Sequence, residues 1–170
     1  VQGLQEYASE VVVETLAQTL HAHQIVACAG LMADRLVRML NIEPDFIVCP
    51  FRGEYYRLRN EHHDLVRHLI YPVPDPAMPF LGVHLTPMID GSITVGPNAV
   101  LATAREGYRL GDFSARDTAE MLAFAGVRRM LARHIKPGIH ELRNALSKRA
   151  YLAQVQRYCP DLKLADLSPH

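Results

Sequence analysis

The dipeptide Asp90-Gly91 constrains the fold of this chain more than any other feature, because it is a strong signal for a tight hairpin turn. The residues before it, Leu81 to Thr86, alternate apolar and polar side chains with the period of a half-buried strand. Ser92 to Gly96 is rich in β-branched residues and predicts the returning strand. The sequence therefore predicts an antiparallel hairpin with His84 and Thr86 on the face opposite the core, where a ligand could bind.

Further strand signals precede this hairpin. Residues 46–50 and 53–58 are rich in β-branched and aromatic residues, which predicts two extended segments joined by a kink at Arg52. A valine-rich strand at residues 10–16 and a polar turn lead to residues 24–28, an apolar run that predicts a buried strand.

Helical patterns follow. After the small-residue turn Ala29-Gly30, residues 31–40 carry apolar side chains at helical spacing. Ser114 and Asp117 form a capping signature that starts a helix, an apolar stripe continues to about residue 135, and helices are expected from Pro137 and over residues 150–158. The predicted fold class is α+β, a mixed, largely antiparallel β-sheet with helices packed on one side.

Composition excludes several classes of protein. Lys plus Arg equals Asp plus Glu at 18 each, so net charge gives no indication of nucleic-acid binding. The apolar runs are shorter than a membrane span and no leader is visible, which predicts a soluble, cytoplasmic protein. The three cysteines are widely spaced without a CxxC, so we expect buried, reduced thiols and neither a disulfide framework nor a metal site.

Several polar residues in the central stretch are candidates for chemistry. Arg52 offers a planar fork suited to a carboxylate, or forms an ion pair with Glu54 or Asp45. His84 is either a half-exposed imidazole that accepts a proton near neutral pH or a hydrogen-bonded sheet histidine. Tyrosine hydroxyls could reach a ligand, although packing is the commoner use of such side chains; these residues are Tyr55, Tyr56 and Tyr71.

Other candidates carry weaker signals. Arg105, Arg143 and Lys148 are expected to be solvated charges rather than ligand clamps. Gly96 to Asn98 predicts a turn that could present backbone N–H groups. Clustered histidines lack a second set of metal ligands, so exposed side chains are the simpler interpretation; they are His62, His63 and His68. The Ala29-Gly30 turn fits either close approach of a ligand or plain packing.

A combination of motifs carries a more specific signal than any of these residues. The segments PFRGEYYRL, HLIYPVPDP, FLGVHLTPMIDGSITVGPNAVLA and REGYR resemble the flavin-dependent L-2-hydroxyglutarate dehydrogenases and oxidases, which belong to the D-amino-acid-oxidase-like FAD superfamily. The similarity extends over nearly all 170 residues, and CAGLMADRL at residues 28–36 is similar to that superfamily's strand-to-helix turn near FAD.

The resemblance implies a domain organisation. Residues 1–44 would be a remnant of the FAD-binding domain and residues 45–170 a substrate-binding domain that is incomplete at its C-terminus. The GxGxxG fingerprint with which members begin is absent from the sequence. We therefore expect this chain to be an internal fragment of a flavoprotein, inactive alone, retaining FAD poorly and prone to self-association through exposed edges.

The resemblance also implies an activity and roles for residues. The parent enzyme would oxidise L-2-hydroxyglutarate to 2-oxoglutarate, pass a hydride to FAD and be reoxidised by oxygen or a quinone pathway, with a peripheral position at the inner face of the membrane left open. His84 would be the catalytic base. The substrate-binding residues would be Arg52, Tyr55 and Tyr71, with Arg105 or Lys148 as a second carboxylate anchor, and the FAD contacts would be Ala29, Gly30, Leu31 and Val1.

Two other functions stay open. One is an FAD-dependent amino-acid oxidase or dehydrogenase, and the other is a non-catalytic module that uses the Arg, Tyr and His side chains to bind a partner. Members of the family tend to carry an Arg soon after the hairpin strand's Thr, whereas Thr86 is followed here by Pro87-Met88. That departure leaves a related 2-hydroxy acid as an alternative substrate.

Overall fold

The computed structural model describes residues 1–62, 64–73 and 82–169, which form two compact units. The first unit combines residues 1–50 with 103–127, and the second combines residues 51–102 with those from 128 onward. Antiparallel sheets and five helices in the described part of the chain confirm the predicted α+β class. The assignment of residues 1–44 to a cofactor domain and 45–170 to a substrate domain stays a prediction.

The first unit contains a small antiparallel meander followed by a helix. Its strands are β1 (Gly3–Glu6), β2 (Val11–Glu14) and β3 (Thr19–Ala22), paired in that order. A 3-10 turn, Gly30–Met32, leads into α1 (Ala33–Met39), and α2 (Ala115–Ala123) completes the unit. Ser114 caps α2 by accepting a hydrogen bond from the Asp117 N–H at 3.2 Å, which confirms the capping signature.

The prediction of a buried strand at residues 24–28 is wrong. No strand forms there among the described residues, and Val26 is 85% exposed. A short apolar run indicates a buried strand only where a neighbouring strand covers it. In the described part of this unit, the sheet ends at β3, so residues 24–28 have no strand beside them.

The second unit is built on a four-stranded antiparallel sheet in the order β5-β6-β4-β7. Its strands are β4 (Phe51–Leu58), β5 (His84–Pro87), β6 (Ile93–Leu101) and β7 (Leu167–Pro169). Helix α3 (Ala125–Arg133) leads into this unit, which continues with α4 (Ile135–Leu146), α5 (Lys148–Val155) and 3-10 turns at Asn60–His62 and Leu164–Asp166.

The predicted hairpin is confirmed. Strands β5 and β6 pair with Leu85 opposite Val95 and Thr86 opposite Thr94, and Asp90-Gly91 lies in the connection. Leu85 and Val95 are buried while His84 and Thr86 are half-buried, as the alternation predicts. Leu81, the first residue of the predicted strand, lies outside the described residues.

Two predictions about the neighbouring strands are wrong. Arg52 is not at a kink, because it pairs with Val100 in an unbroken stretch of β4 and β6. Gly96 to Asn98 is not a turn but part of β6. The irregularity occurs between Glu54 and Tyr56, where Gly96 and Pro97 together face Tyr55.

The apolar core of the second unit lies between the sheet and α5. Leu85, Val95, Tyr151 and Val155 are completely or almost completely buried in it. The hydroxyl of Tyr151 donates to the carbonyl oxygen of Val95 at 2.9 Å, so this buried polar group is satisfied. The core fixes β5 and β6 and therefore positions the opposite face of the hairpin.

The helical predictions hold with shifted boundaries. The apolar stripe from residue 121 to about 135 is divided at Phe124 into α2 and α3. Pro137 is the third residue of α4 rather than its first, which is tolerated because the first turn of a helix has no intrahelical partner for that N–H.

Candidate functional site

The imidazole of His84 is the centre of the candidate site. Its ring stacks on Tyr71, with the ring centroids 4.3 Å apart and the planes at 21°. Tyr71 is exposed and His84 half-buried. The Nδ1 atom of His84 is buried and has no hydrogen bond of good geometry to any described residue. The accessible part of the ring is therefore the side that carries Nε2.

Burial lowers the pKa of His84, and a weak backbone interaction with Gly82 partly opposes this effect. A lowered pKa keeps the imidazole neutral at neutral pH. A neutral imidazole on a partly exposed strand face can accept a proton from a bound ligand.

Tyr55 lies across β6 from His84. Gly96 pairs with His84, and a Cβ atom built on Gly96 would approach the Cδ1 atom of Tyr55 to 2.6 Å. The φ angle of Gly96 is +149°, a conformation that a side chain rarely adopts. Gly96 therefore allows the Tyr55 ring to pack over β6, next to the strand position that His84 faces.

The side chain of Arg52 is directed to the face of β4 opposite that of Tyr55. Its Nη2 and Nε atoms donate to Oε1 of Glu54 at 2.7 and 2.9 Å, so the ion pair considered from the sequence forms with Glu54. Arg52 and Tyr55 are three positions apart, and alternation in a strand directs such side chains to opposite faces. The prediction that both contact one carboxylate is not tested by this geometry and stays a prediction.

The remaining candidates of the second unit have different environments. Lys148 is half-buried at the first position of α5, and Arg143 is exposed on α4. Tyr56 packs edge-on against Tyr151 with ring centroids 4.7 Å apart, so packing is its observed use.

In the first unit, the predicted cofactor contacts form an open turn. Gly30 has a φ angle of +50°, and among the described residues no heavy atom outside Gly30 and its two chain neighbours lies within 4 Å of the point that its Cβ would occupy. Leu31 and Val1 are exposed, and Ala29 is half-buried. A turn without a side chain above it admits the close approach of a flat ring system, so these residues fit the flavin that the resemblance implies.

The expectation that Arg105 is a solvated charge is wrong. Arg105 is 4% exposed and forms a two-pronged ion pair with the fully buried Asp34, in which Nη2 donates to Oδ2 at 2.7 Å. Its Nη1 atom also donates to the carbonyl oxygen of Leu31 at 2.6 Å. Arg105 therefore holds the turn that precedes α1. Its predicted role as a substrate anchor is not tested and stays a prediction.

A second part of this charged network was missed from the sequence. The guanidinium of Arg35 donates to Asp117 and, at 2.7 Å, to Glu120. Asp117 also accepts the backbone N–H of Arg105 at 2.8 Å. Arg35 is 82 and 85 positions from its two partners and Arg105 is 71 positions from Asp34, whereas Arg105 and Asp117 are 12 positions apart. The only local signal was the i, i+3 spacing of Asp117 and Glu120, which places two carboxylates on one helix face.

The predictions of exposed histidines and of buried, reduced cysteines agree with the structure only in part. His62 is half-buried and places Nε2 at 3.1 Å from Oδ1 of Asp166, whereas His68 is exposed and His63 lies outside the described residues. Glu61, His62 and Asp166 bring one ligand atom each within 4.8 Å of one another, but the other Asp166 oxygen already accepts the Lys163 N–H. All three cysteines are free, yet none is fully buried, because Cys28 is exposed and Cys49 and Cys159 are intermediate.

Helices that could cross a bilayer are absent from the described ranges, since none is both long and apolar enough.

Comparisons with known proteins place this chain in a family. The family described as FAD dependent oxidoreductase matches residues 1–168. The L-2-hydroxyglutarate dehydrogenase of Escherichia coli K12 is 59% identical over 170 residues, covering 99% of this chain and 40% of that protein. The mitochondrial L-2-hydroxyglutarate dehydrogenases of Nematostella vectensis and Bos taurus are 44% and 39% identical, covering 88% and 92% of the chain and 33% and 34% of those proteins. The chain thus spans at most about 40% of these relatives, and it belongs to the FAD dependent oxidoreductase family.

Proposed function

We propose that this chain is part of an FAD-dependent enzyme that oxidises L-2-hydroxyglutarate to 2-oxoglutarate. The observation that carries the proposal is His84, a half-buried imidazole kept neutral by burial on the face of β5 opposite the core. The names of the relatives support the substrate, since curated relatives from bacteria and animals are L-2-hydroxyglutarate dehydrogenases.

In the proposed reaction, His84 accepts the proton of the substrate hydroxyl at Nε2. The buried Nδ1 atom and the stacked ring of Tyr71 restrict the orientation of the imidazole, which supports a fixed direction for the proton transfer. When bound, FAD supplies the acceptor for the hydride that leaves the hydroxyl-bearing carbon. The chain's own contribution is to orient the substrate and hold one proton.

The two carboxylates of the substrate require cationic or hydroxyl partners. We propose Tyr55 and Tyr71, which lie on the His84 side of the sheet, for the first carboxylate and Lys148 for the second. Arg52 is a weaker candidate for the first carboxylate, because strand alternation directs it to the opposite face of β4. Arg52 is bound to Glu54 without a ligand, so the substrate would compete with that carboxylate. Arg105 is the weaker candidate for the second anchor, because its guanidinium is held by Asp34.

The Ala29–Leu31 turn is proposed to hold part of the FAD, with Val1 as a further backbone contact. Its support is the open space above Gly30 and the hydrogen bond by which Arg105 fixes Leu31. Because the chain spans about 40% of the length of its bacterial relative, we propose that the chain alone binds FAD weakly and is inactive.

The electron acceptor, the cellular compartment and the self-association of the chain are also proposals. Oxygen or a quinone pathway would reoxidise the flavin. The cytoplasm is the proposed compartment. Self-association of the chain is expected from its exposed apolar side chains, and no role in nucleic-acid binding is proposed.

Anaerobic bleaching of the flavin tests the substrate directly. The full-length protein, purified with FAD, is mixed with L-2-hydroxyglutarate, its D isomer, other 2-hydroxy acids or amino acids, and flavin absorbance is followed. The proposal expects bleaching by the L isomer of 2-hydroxyglutarate and little by the other compounds.

The other outcomes separate the competing functions. Bleaching by an amino acid would retain the family and replace the substrate class. Bleaching by another 2-hydroxy acid would connect specificity to the Pro87-Met88 departure. A bound flavin that no compound bleaches would contradict the enzymatic proposal and favour a binding module.

A further inference from the structure

Two glycines lie beneath the phenol ring of Tyr55 on the sheet of the second unit. A Cβ atom built on Gly53 would come within 3.1 Å of Cε2 of that ring, and one built on Gly96 would come within 2.6 Å of Cδ1. Cδ1 and Cε2 are on opposite edges of the ring. The ring therefore spans two strands, with one edge over β4 and the other over β6, and it packs where both side chains are missing.

The ring of Tyr55 shares its face of the sheet with His84. Gly96 is directly opposite His84 in the antiparallel pairing of β5 with β6. The Cβ positions of two directly opposite residues point to the same face and are about 5 Å apart. The Tyr55 ring thus occupies the place of the side chain that Gly96 lacks, as the cross-strand neighbour of the imidazole. Because Tyr71 stacks on the same imidazole, His84 has two tyrosine neighbours.

The backbone places a second constraint on Tyr55. The register of β4 and β6 shifts at this residue, which Gly96 and Pro97 face together, and a bulge of this kind changes the direction of a side chain. The Cβ point of Gly53 also lies 2.9 Å from Cβ of Pro97, so Pro97 packs beside the ring over the same glycine. Tyr55 is still 40% exposed, which leaves it accessible to a ligand.

We propose that Gly53 and Gly96 are positioning residues for the substrate, because they hold the ring of Tyr55 in one place on the sheet. There, next to His84, its hydroxyl donates to a carboxylate of the 2-hydroxy acid while the imidazole faces the hydroxyl-bearing carbon. This inference rests on the proposed function and deepens it. A carboxylate does not react, so the contact stabilises the bound substrate and the transition state alike. Its loss should therefore raise KM and leave the rate at saturation nearly unchanged.

Gly53→Ala in the full-length, flavin-loaded protein tests the proposal. The new methyl group fits strand backbone but displaces the Tyr55 ring. KM for L-2-hydroxyglutarate should rise on the order of tenfold through the loss of a hydrogen bond, while the saturated rate of flavin reduction stays within about twofold and its pH profile is unchanged.

A double-mutant cycle separates positioning from a general distortion of the sheet. Tyr55→Phe keeps the ring and removes the hydroxyl, so it should raise KM by a similar factor. Adding Gly53→Ala to Tyr55→Phe should then have no further effect on KM, because the glycine acts through that hydroxyl. Additive effects of the two changes would overturn the proposal, as would a wild-type KM in Gly53→Ala.

Gly126→Ala is the matched control. Its Cβ would crowd the ring of Phe124 to 2.8 Å, which is a comparable steric change at the start of α3, and it should leave KM unchanged. Flavin content and thermal unfolding check that each variant folds. A rise in KM in Gly126→Ala equal to that in Gly53→Ala would overturn the proposal.

Proton NMR supplies a second test that leaves both glycines in place. The α protons of Gly53 and Gly96 should show ring-current shifts in the wild-type protein that disappear in Tyr55→Leu, and their absence from the wild type would overturn the proposal. Failure of L-2-hydroxyglutarate to reduce the wild-type flavin would instead contradict the proposed function, and the NMR shifts would still decide whether the glycines hold the ring.

Discussion

Each of the two compact units is stabilised internally by a different kind of interaction. In the first unit, the buried groups include the charged pair Asp34 and Arg105, which connects residues 103–127 to α1. In the second unit, the buried groups are mostly hydrocarbon, with Leu85 and Val95 of the sheet packed against Val155 of α5. The comparison teaches that the Ala29–Leu31 turn depends on charge pairing and strand β5 on apolar packing.

This difference predicts how each unit loses stability when one buried side chain is truncated. A buried ion pair contributes little net stability, but removing one partner leaves an uncompensated charge. An apolar core loses stability in proportion to the cavity that a truncation creates. The most informative variants therefore each truncate one buried side chain, in one unit or the other. Hydrogen exchange then measures the stability of the two units separately.

The largest effect is expected for Arg105→Ala. The Asp34 carboxylate would stay buried without its partner, which should cost about 3–5 kcal/mol of unfolding free energy. Urea unfolding measures the total, and amide exchange should accelerate in α1 but not in β6. Arg116→Ala is the control, because Arg116 is exposed and pairs with Glu120 at the surface, where loss is about 0.5 kcal/mol. A loss of that small size for Arg105 would contradict a buried pair.

The next largest effect is expected for Leu85→Ala. Leu85 is fully buried in the second unit, so its truncation should cost about 3 kcal/mol. Exchange should accelerate in β5 and β6 while α1 keeps its protection. Leu20→Ala, at an exposed position of β3, should change stability by less than about 0.5 kcal/mol. Equal acceleration in both units would remove the distinction drawn between them.

Tyr151→Phe sharpens the description of the apolar core. It removes the hydroxyl that donates to Val95 but keeps the ring, so the expected loss is about 1 kcal/mol. Burial strongly raises the pKa of this phenol, which keeps the hydroxyl protonated as a donor at neutral pH. Thermal unfolding of Tyr151→Phe beside the exposed Tyr108→Phe measures the difference, and equal melting temperatures would exclude a contribution from the hydrogen bond.

The smallest expected effect is a difference between the two units in how their stability depends on pH. Burial alone would raise the pKa of Asp34, but the hydrogen bond and charge of Arg105 lower it below the ordinary value of 3.8. The stability from this pair is therefore present above that value and is lost as pH falls through the folded pKa. Burial raises the pKa of Glu141 against the hydrogen bond from Ala99, so its contribution has the opposite sign and decreases as pH rises.

Unit-resolved NMR in mild denaturant at a series of pH values measures these two slopes. Acidification below the ordinary Asp34 pKa of 3.8 should weaken α1 relative to β6, and Glu141→Gln should flatten the dependence in the second unit alone. Parallel slopes in both units would show that neither carboxylate is coupled to folding as described.

Local signals in the sequence predicted the local structure well. The Asp90-Gly91 hairpin and the Ser114 cap were found because the turn and the first helical turn are decided by neighbouring residues. The position of His84 on the face opposite the core followed from strand alternation, which fixes the face of a side chain once the hairpin is known. These features needed no information about distant parts of the chain.

Features that depend on distant partners could not be predicted in the same way. Arg105 was taken for a surface charge because Asp34 is 71 positions away. Residues 24–28 were taken for a strand because their pattern does not reveal that the sheet ends at β3. The contacts of α4 with β6 could not be predicted, because the donors to Glu141, the side-chain amide of Asn98 and the backbone N–H of Ala99, are 43 and 42 positions away.

The most direct test of the central claim is the pH dependence of anaerobic flavin reduction by L-2-hydroxyglutarate in the full-length protein, with and without His84→Asn. If His84 accepts the hydroxyl proton, the wild-type rate should rise with pH through a pKa below the ordinary value of 6.5, because burial lowers that pKa. His84→Asn should reduce the rate by about 10²–10⁴-fold and remove this step from the profile, with flavin content unchanged. A variant that keeps both the rate and the profile would contradict the assignment of His84 as the base.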